Sequence, residues 1–144
     1  MELEARRLVF HSVVVLLVGI LCGVPLAAAI WLECPVDSVQ LWRQAHRGLV
    51  LGGVLGLAVA GILSTLSMSR AKTWAPLVFI LSNYAFCFSL VFGAIFGQRG
   101  VLPSLPVTNV IALLGNSIAT FGGLLAAFLL LSASRASLAS AKNQ

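Results

Sequence analysis

Carboxylates are the scarcest chemistry in this sequence. Of its 144 residues four are acidic, Glu2, Glu4, Glu33 and Asp37, and none follows Asp37. Beyond that point no carboxylate pair exists for acid–base catalysis. No long apolar run carries an Asp or Glu, which argues against a proton-coupled small multidrug exporter, since these depend on a carboxylate inside the membrane. Charged residues of both signs make up only 9% of the chain and hydrophobic ones 60%, where an ordinary globular domain carries about a quarter charged residues. Such a chain cannot cover itself with polar surface, so lipid must be its solvent.

Cysteine and histidine are nearly as sparse. Cys22, Cys34 and Cys87 show neither a CxxC nor a Cys/His spacing, so neither a zinc site nor a disulfide framework is supported. There is no Ser/His/Asp set and no phosphate-cradling loop. The nine Lys and Arg residues give a net charge of +5. They sit outside the apolar runs without interleaved aromatics, and so read as helix-flanking anchors, with no nucleic acid as partner.

Long apolar runs are what the chain has in abundance. They cover about 8–32, 48–68, 74–97 and 107–132, each reaching the roughly 20 residues that cross a 30 Å hydrocarbon core. The first follows Arg6 and Arg7 but exceeds the h-region of a signal peptide, so it is read as a retained span. The runs lack barrel-like alternation, and the short connection 69–73 demands antiparallel neighbours. The expected fold is an all-α membrane protein: one domain, 1–144, forming an antiparallel four-transmembrane-helix bundle with a flexible tail at 133–144. Arg6, Arg7, Arg70, Lys72, Arg135 and Lys142 lie on one side, with Arg43, Arg47 and Arg99 on the other, which predicts both termini in the cytoplasm. Trp31, Trp42 and Trp74 fall at span ends as interface anchors.

The second span organises the rest. Trp42-Arg43-Gln44-Ala45-His46-Arg47-Gly48 leads into Gly52, Gly53, Gly56, Ala60 and Gly61. Interior glycine costs a helix up to about 1 kcal/mol relative to alanine, but in lipid it lets a backbone or a flat ligand approach. His46 is therefore a candidate metal ligand with room for a planar group beside it. One protein ligand is too few for zinc but sufficient for haem, whose porphyrin supplies the equatorial ligands. His11, at the opposite end of its span, is read as a headgroup-level or backbone-bonded histidine. Span three holds Ser82, Asn83, Tyr84 and Ser89, and in span four Asn109, Asn116 and Thr120 form with Ala112 and Gly123 one small-and-polar stripe that reads first as helix–helix glue. The alternative is that Asn83, Tyr84 and Asn116 line a substrate pocket.

Arg7-Leu8-Val9-Phe10-His11, Ala45-His46-Arg47-Gly48, Leu81-Ser82-Asn83-Tyr84-Ala85 and the turn Gln98-Arg99-Gly100 resemble the styrene oxide isomerases and the related hydroxylaminobenzene mutases. The resemblance runs over nearly the whole chain in span order and loop position. It implies an integral protein of the bacterial inner membrane, a homotrimer holding haem b near its subunit interfaces, with His46 as the iron ligand. Val50, Gly53 and Asn116 would lie about the cofactor. It further implies a redox-neutral rearrangement of a small aromatic substrate drawn from the membrane lipid, either an epoxide to an aldehyde or an aryl hydroxylamine to an aminophenol. Where the isomerases carry an asparagine six residues after the histidine, this chain has Gly52. Ungapped alignment sets their third-helix asparagine and tyrosine on Phe86 and Leu90. Asn83, Tyr84 and Ser89 are the catalytic candidates to take over that work, with Phe79, Phe86, Phe88 and Leu90 as apolar lining. The alternatives from other classes are a non-catalytic haem protein using the same His46 and a cofactor-free membrane scaffold. A Gly48/Gly52/Gly56/Ala60 ridge offers a physical route to trimerisation.

Overall fold

In the computed structural model, residues 3–142 are described; Glu2 and the last two residues of the expected tail lie outside them. Five helices occur, α1 Leu3–Leu21, α2 Gly23–Trp31, α3 Val36–Thr65, α4 Arg70–Phe96 and α5 Val107–Ala141, and no strand is found among the described residues. Among the described residues four stretches are long and apolar enough to cross a membrane: Leu3–Trp31, Val36–Thr65, Arg70–Phe96 and Val107–Ala141. This is the expected all-α bundle of an integral membrane protein.

Local chemistry accounts for each boundary that differs from expectation. The first span is broken at Cys22 because Pro25 has no N–H for the carbonyl of Leu21, and its ring crowds that position. Helix α3 starts at Val36, just after Pro35 and with Asp37 in its first turn, so His46 lies well inside a helix rather than at its threshold. Ser69 caps α4, its Oγ accepting from Lys72 N at 3.2 Å. Lys72 is not a free flanking anchor: it is buried, and its Nζ donates to Leu66 O at the frayed end of α3. Helix α4 stops at Gly97, which takes a left-handed φ of 67° while Gln98 N donates to Gly93 O. The tail expected at 133–144 is helical as far as Ala141. Ala133 is buried there, and Ser137 Oγ accepts from Ser67 N.

Two tight antiparallel pairs make the bundle. In the first, α1 lies on α3: a Cβ on Gly53 would sit 2.6 Å from Leu16 Cβ, and one on Gly19 would sit 2.6 Å from Val50 N. In the second, α4 lies on α5. Ser82 Oγ donates to Ala119 O, and Ser89 Oγ to Ala112 O, each at 2.6 Å. Both donors and acceptors step by seven residues, and Ala112, Ala119, Ala126 and Ala133 are buried at the same interval. The glue between spans three and four therefore comes from α4 serines, whereas the α5 amides expected to supply it hold the connecting loop. Asn109 accepts from Gly100 N and donates to Leu102 O and Ser104 Oγ, and Asn116 donates to Gly100 O. Replacing Ser82 or Ser89 by Ala should each lower stability by about 0.6 kcal/mol, the double variant losing roughly the sum. Thermal unfolding in detergent reads this directly.

The pairs join through α4, which meets both α1 and α3, whereas α5 approaches neither of those backbones. One flank of α3 is left open as a result. The glycine ridge has neighbours inside the chain: Gly48 faces Phe86 and Leu90, Gly52 faces Asn83, and Gly56 faces Ser12 and Phe79. Gly56 and Ala60 are buried, whereas Gly48 and Gly52 stay partly exposed along that open flank.

Candidate functional site

His46 is half-buried on the side of α3 that meets α1. Its Nδ1 lies 2.9 Å from the carbonyl oxygen of Gly19. A carbonyl only accepts, so Nδ1 carries the proton and Nε2 is left with its lone pair. No hydrogen bond to Nε2 exists among the described residues. The break at Cys22 makes the seat for the ring: a Cβ on Gly23 would stand 3.3 Å from Nδ1 and 3.4 Å from Cε1. This is the arrangement in which a histidine ligates a metal, one ring nitrogen anchored on the backbone and the other basic and free. No group of three or more His, Cys, Asp or Glu able to hold a metal ion occurs among the described residues. An ion bound at His46 must therefore bring its other ligands along, as iron does in a porphyrin.

The residues expected around His46 are not all there. Val50 follows it by one turn on the same face. Gly53 offers no open space, because Leu16 of α1 covers it; the glycine serves helix approach rather than a flat ligand. Asn116 is on α5, whose backbone stays apart from that of α3, and its amide is engaged by Gly100 O.

The open flank of α3 forms a groove of about 510 Å³. Gly48, Gly52 and Leu55 form one wall, Phe79, Asn83 and Phe86 the base, and Thr120 and Gly123 of α5 the far side. Leu90 and Arg47 line its continuation toward the start of α3. Asn83 is its principal polar group. The carboxamide lies over Gly52, Oδ1 standing 3.2 Å from where a Cβ of residue 52 would be, with a long contact of 3.5 Å from Nδ2 to Gly52 O.

The three catalytic candidates do not converge. Neighbouring helix positions point about 100° apart, so Tyr84 turns from the groove toward α1, where its hydroxyl meets His11 Nδ1 at 2.9 Å. His11 is thus bonded to a side chain rather than to backbone. Ser89 is buried against α5, and Phe88 is an exposed residue stacked on Phe92. Within one chain, His46 and the groove also lie on opposite sides of α3: Gly48 is two positions along, roughly 200° around the helix. Sequence reasoning missed Gly19 and Gly23, and it read Thr120 and Gly123 as helix–helix glue where they line the groove. The Gly23-Val24-Pro25 run was the available signal for the first two, since it marks where α1 must break.

Among individually curated proteins, none matches the chain. Against family models, residues 4–135 match the one described as styrene oxide isomerase, a stretch containing the greater part of all four spans.

Proposed function

The chain belongs to the styrene oxide isomerase family, an isomerase-type membrane protein, and from that premise we propose that it is a haem-b-dependent isomerase or mutase of the bacterial inner membrane. The reaction is a redox-neutral intramolecular rearrangement of a small aromatic substrate, an epoxide to an aldehyde or an aryl hydroxylamine to an aminophenol. One observation carries the reading: His46 donates Nδ1–H to Gly19 O and keeps Nε2 free, the donor state that iron requires.

When bound, ferric haem supplies an electron-pair acceptor for the substrate oxygen. The remaining work falls to side chains. His46 fixes the site by its Gly19 anchor. Phe79, Phe86 and Leu55 give the groove apolar walls that hold an aromatic ring and exclude water. Asn83 brings N–H donors into that dry surround, where they strengthen as charge develops on the substrate oxygen. Its carboxamide takes up space above Gly52, the position at which related isomerases carry their own asparagine, so a polar group is restored from a different helix.

Because His46 and the groove face opposite ways on α3, a complete site requires a second copy, with His46 of one subunit turned toward the groove of the next. That geometry favours a homo-oligomer, a trimer by analogy with the family, with both termini in the cytoplasm. Asn83→Ala should lower kcat for the rearrangement about 100-fold, the usual loss for one donor of this kind, with its haem spectrum unchanged. The proposal as a whole is tested with detergent-purified protein expressed with ample haem. A Soret band, with aryl epoxide or hydroxylamine turnover in the absence of any electron donor, is the expected result. Haem-replete expression without a Soret band sinks it.

A further inference from the structure

A second groove, of about 450 Å³, runs between α1 and α4 near the chain termini. It falls in the volume range of small-molecule sites and shares no lining residue with the groove of Asn83. Glu4 and Arg7 flank it, already paired with each other at 3.5 Å, so its mouth is electrically balanced. Trp74, Leu77 and Ile80 give apolar walls, and Thr73 Oγ1 is committed to Ser69 O. His11 is the polar group that remains.

The state of His11 follows from its partner. Tyr84 has one hydroxyl proton, and among the described residues its oxygen has one hydrogen-bond partner, His11 Nδ1 at 2.9 Å. A phenol is a good donor and a poor acceptor, whereas an imidazole lone pair is a good acceptor, so Tyr84 donates and Nδ1 accepts. The imidazole proton then resides on Nε2, which has no hydrogen-bond partner among the described residues. Edge-on contacts with Phe10 at 5.3 Å and Tyr84 at 5.6 Å hold the ring in place. An uncommitted N–H donor among apolar and aromatic walls, behind a neutral mouth, selects a neutral aromatic molecule with an acceptor oxygen.

We infer that the α1–α4 groove, with His11 Nε2–H as its donor and Tyr84 setting the tautomer, is a second binding site for small neutral aryl carbonyl or aryl ether compounds. It is separate from His46 and does not rest on the haem reading.

The chain has two histidines, so nitrogen NMR of isotopically labelled histidine follows both rings in the detergent-purified protein, assigned through His11→Gln and His46→Ala. Titration with acetophenone is expected to move the His11 Nε2 resonance along a saturating curve while leaving that of His46 in place. Leu77→Trp fills the groove from a position that is 43% exposed and should abolish the response; Ile80→Phe narrows the same groove should the first variant unfold. Tyr84→Phe releases the tautomer and should weaken binding about fivefold, the worth of one ordinary hydrogen bond. An absent or non-saturating response, or one kept at full amplitude in a folded filled variant, overturns the inference. Failure of the haem reading looks different: it changes the visible spectrum and leaves the His11 titration as it was.

Discussion

His46→Ala is expected to yield a protein that folds and inserts but retains no haem, its Soret absorbance falling to background and its isomerase turnover with it. The asymmetry follows from what His46 does in each role. As a structural element it contributes one hydrogen bond to Gly19 O, worth about 1 kcal/mol, and the helices it links are held mainly by the glycine-mediated contacts of Leu16 with Gly53 and Gly19 with Val50. As a ligand it is alone. His11 lies on α1 two turns before Gly19, and its Nδ1 is engaged by Tyr84. The melting temperature in detergent should therefore drop by only a few degrees, while the haem-to-protein ratio collapses. A variant that keeps a full Soret band would move the iron ligand elsewhere and with it the whole site.

Much of this was readable from residues. The four spans followed from hydropathy and the scarcity of charge, and the family followed from short motifs around His11, His46 and Asn83. Contacts were harder to foresee. A ridge such as Gly48–Gly52–Gly56 announces close approach without naming the neighbour, and here residues of α4 and α1 are the neighbours. Asn109 and Asn116 looked like interhelical glue because amides in lipid need partners, yet the nearest unpaired backbone was the loop at Gly100–Ser104. The true glue had a signature: Ser82 and Ser89 are spaced by seven, as are Ala112 and Ala119, and a seven-residue step keeps one face toward a partner helix. The same periodicity separates Asn83 from Tyr84 and predicts that they serve different surfaces. The tautomers of His46 and His11 lay beyond sequence, since each is set by a partner 27 or 73 residues away.

Gly53→Leu should cost both stability and cofactor, although Gly53 touches no ligand. A Cβ there would lie 2.6 Å from Leu16 Cβ, 2.7 Å from its N and 2.8 Å from its Cα. Backbone cannot swing aside as a side-chain tip does, so α1 and α3 must part, and overpacking of this kind costs about 3 kcal/mol. Parting has a second consequence, because the same α1–α3 contact holds Gly19 O against His46 Nδ1. Without that acceptor the ring loses its anchor and its fixed tautomer, and ligands deprived of such support typically lose tenfold or more in affinity, on the order of 10–100-fold. Gly61→Ala is the matching control on the same helix. Nothing lies within 4 Å of its added carbon, and alanine should gain up to about 1 kcal/mol in helix propensity. Haem content and thermal unfolding measured side by side should fall together in Gly53→Leu and hold or rise in Gly61→Ala. Equal behaviour of the two variants would mean that α1 does not press on α3 at Leu16, and that His46 is positioned by something other than Gly19.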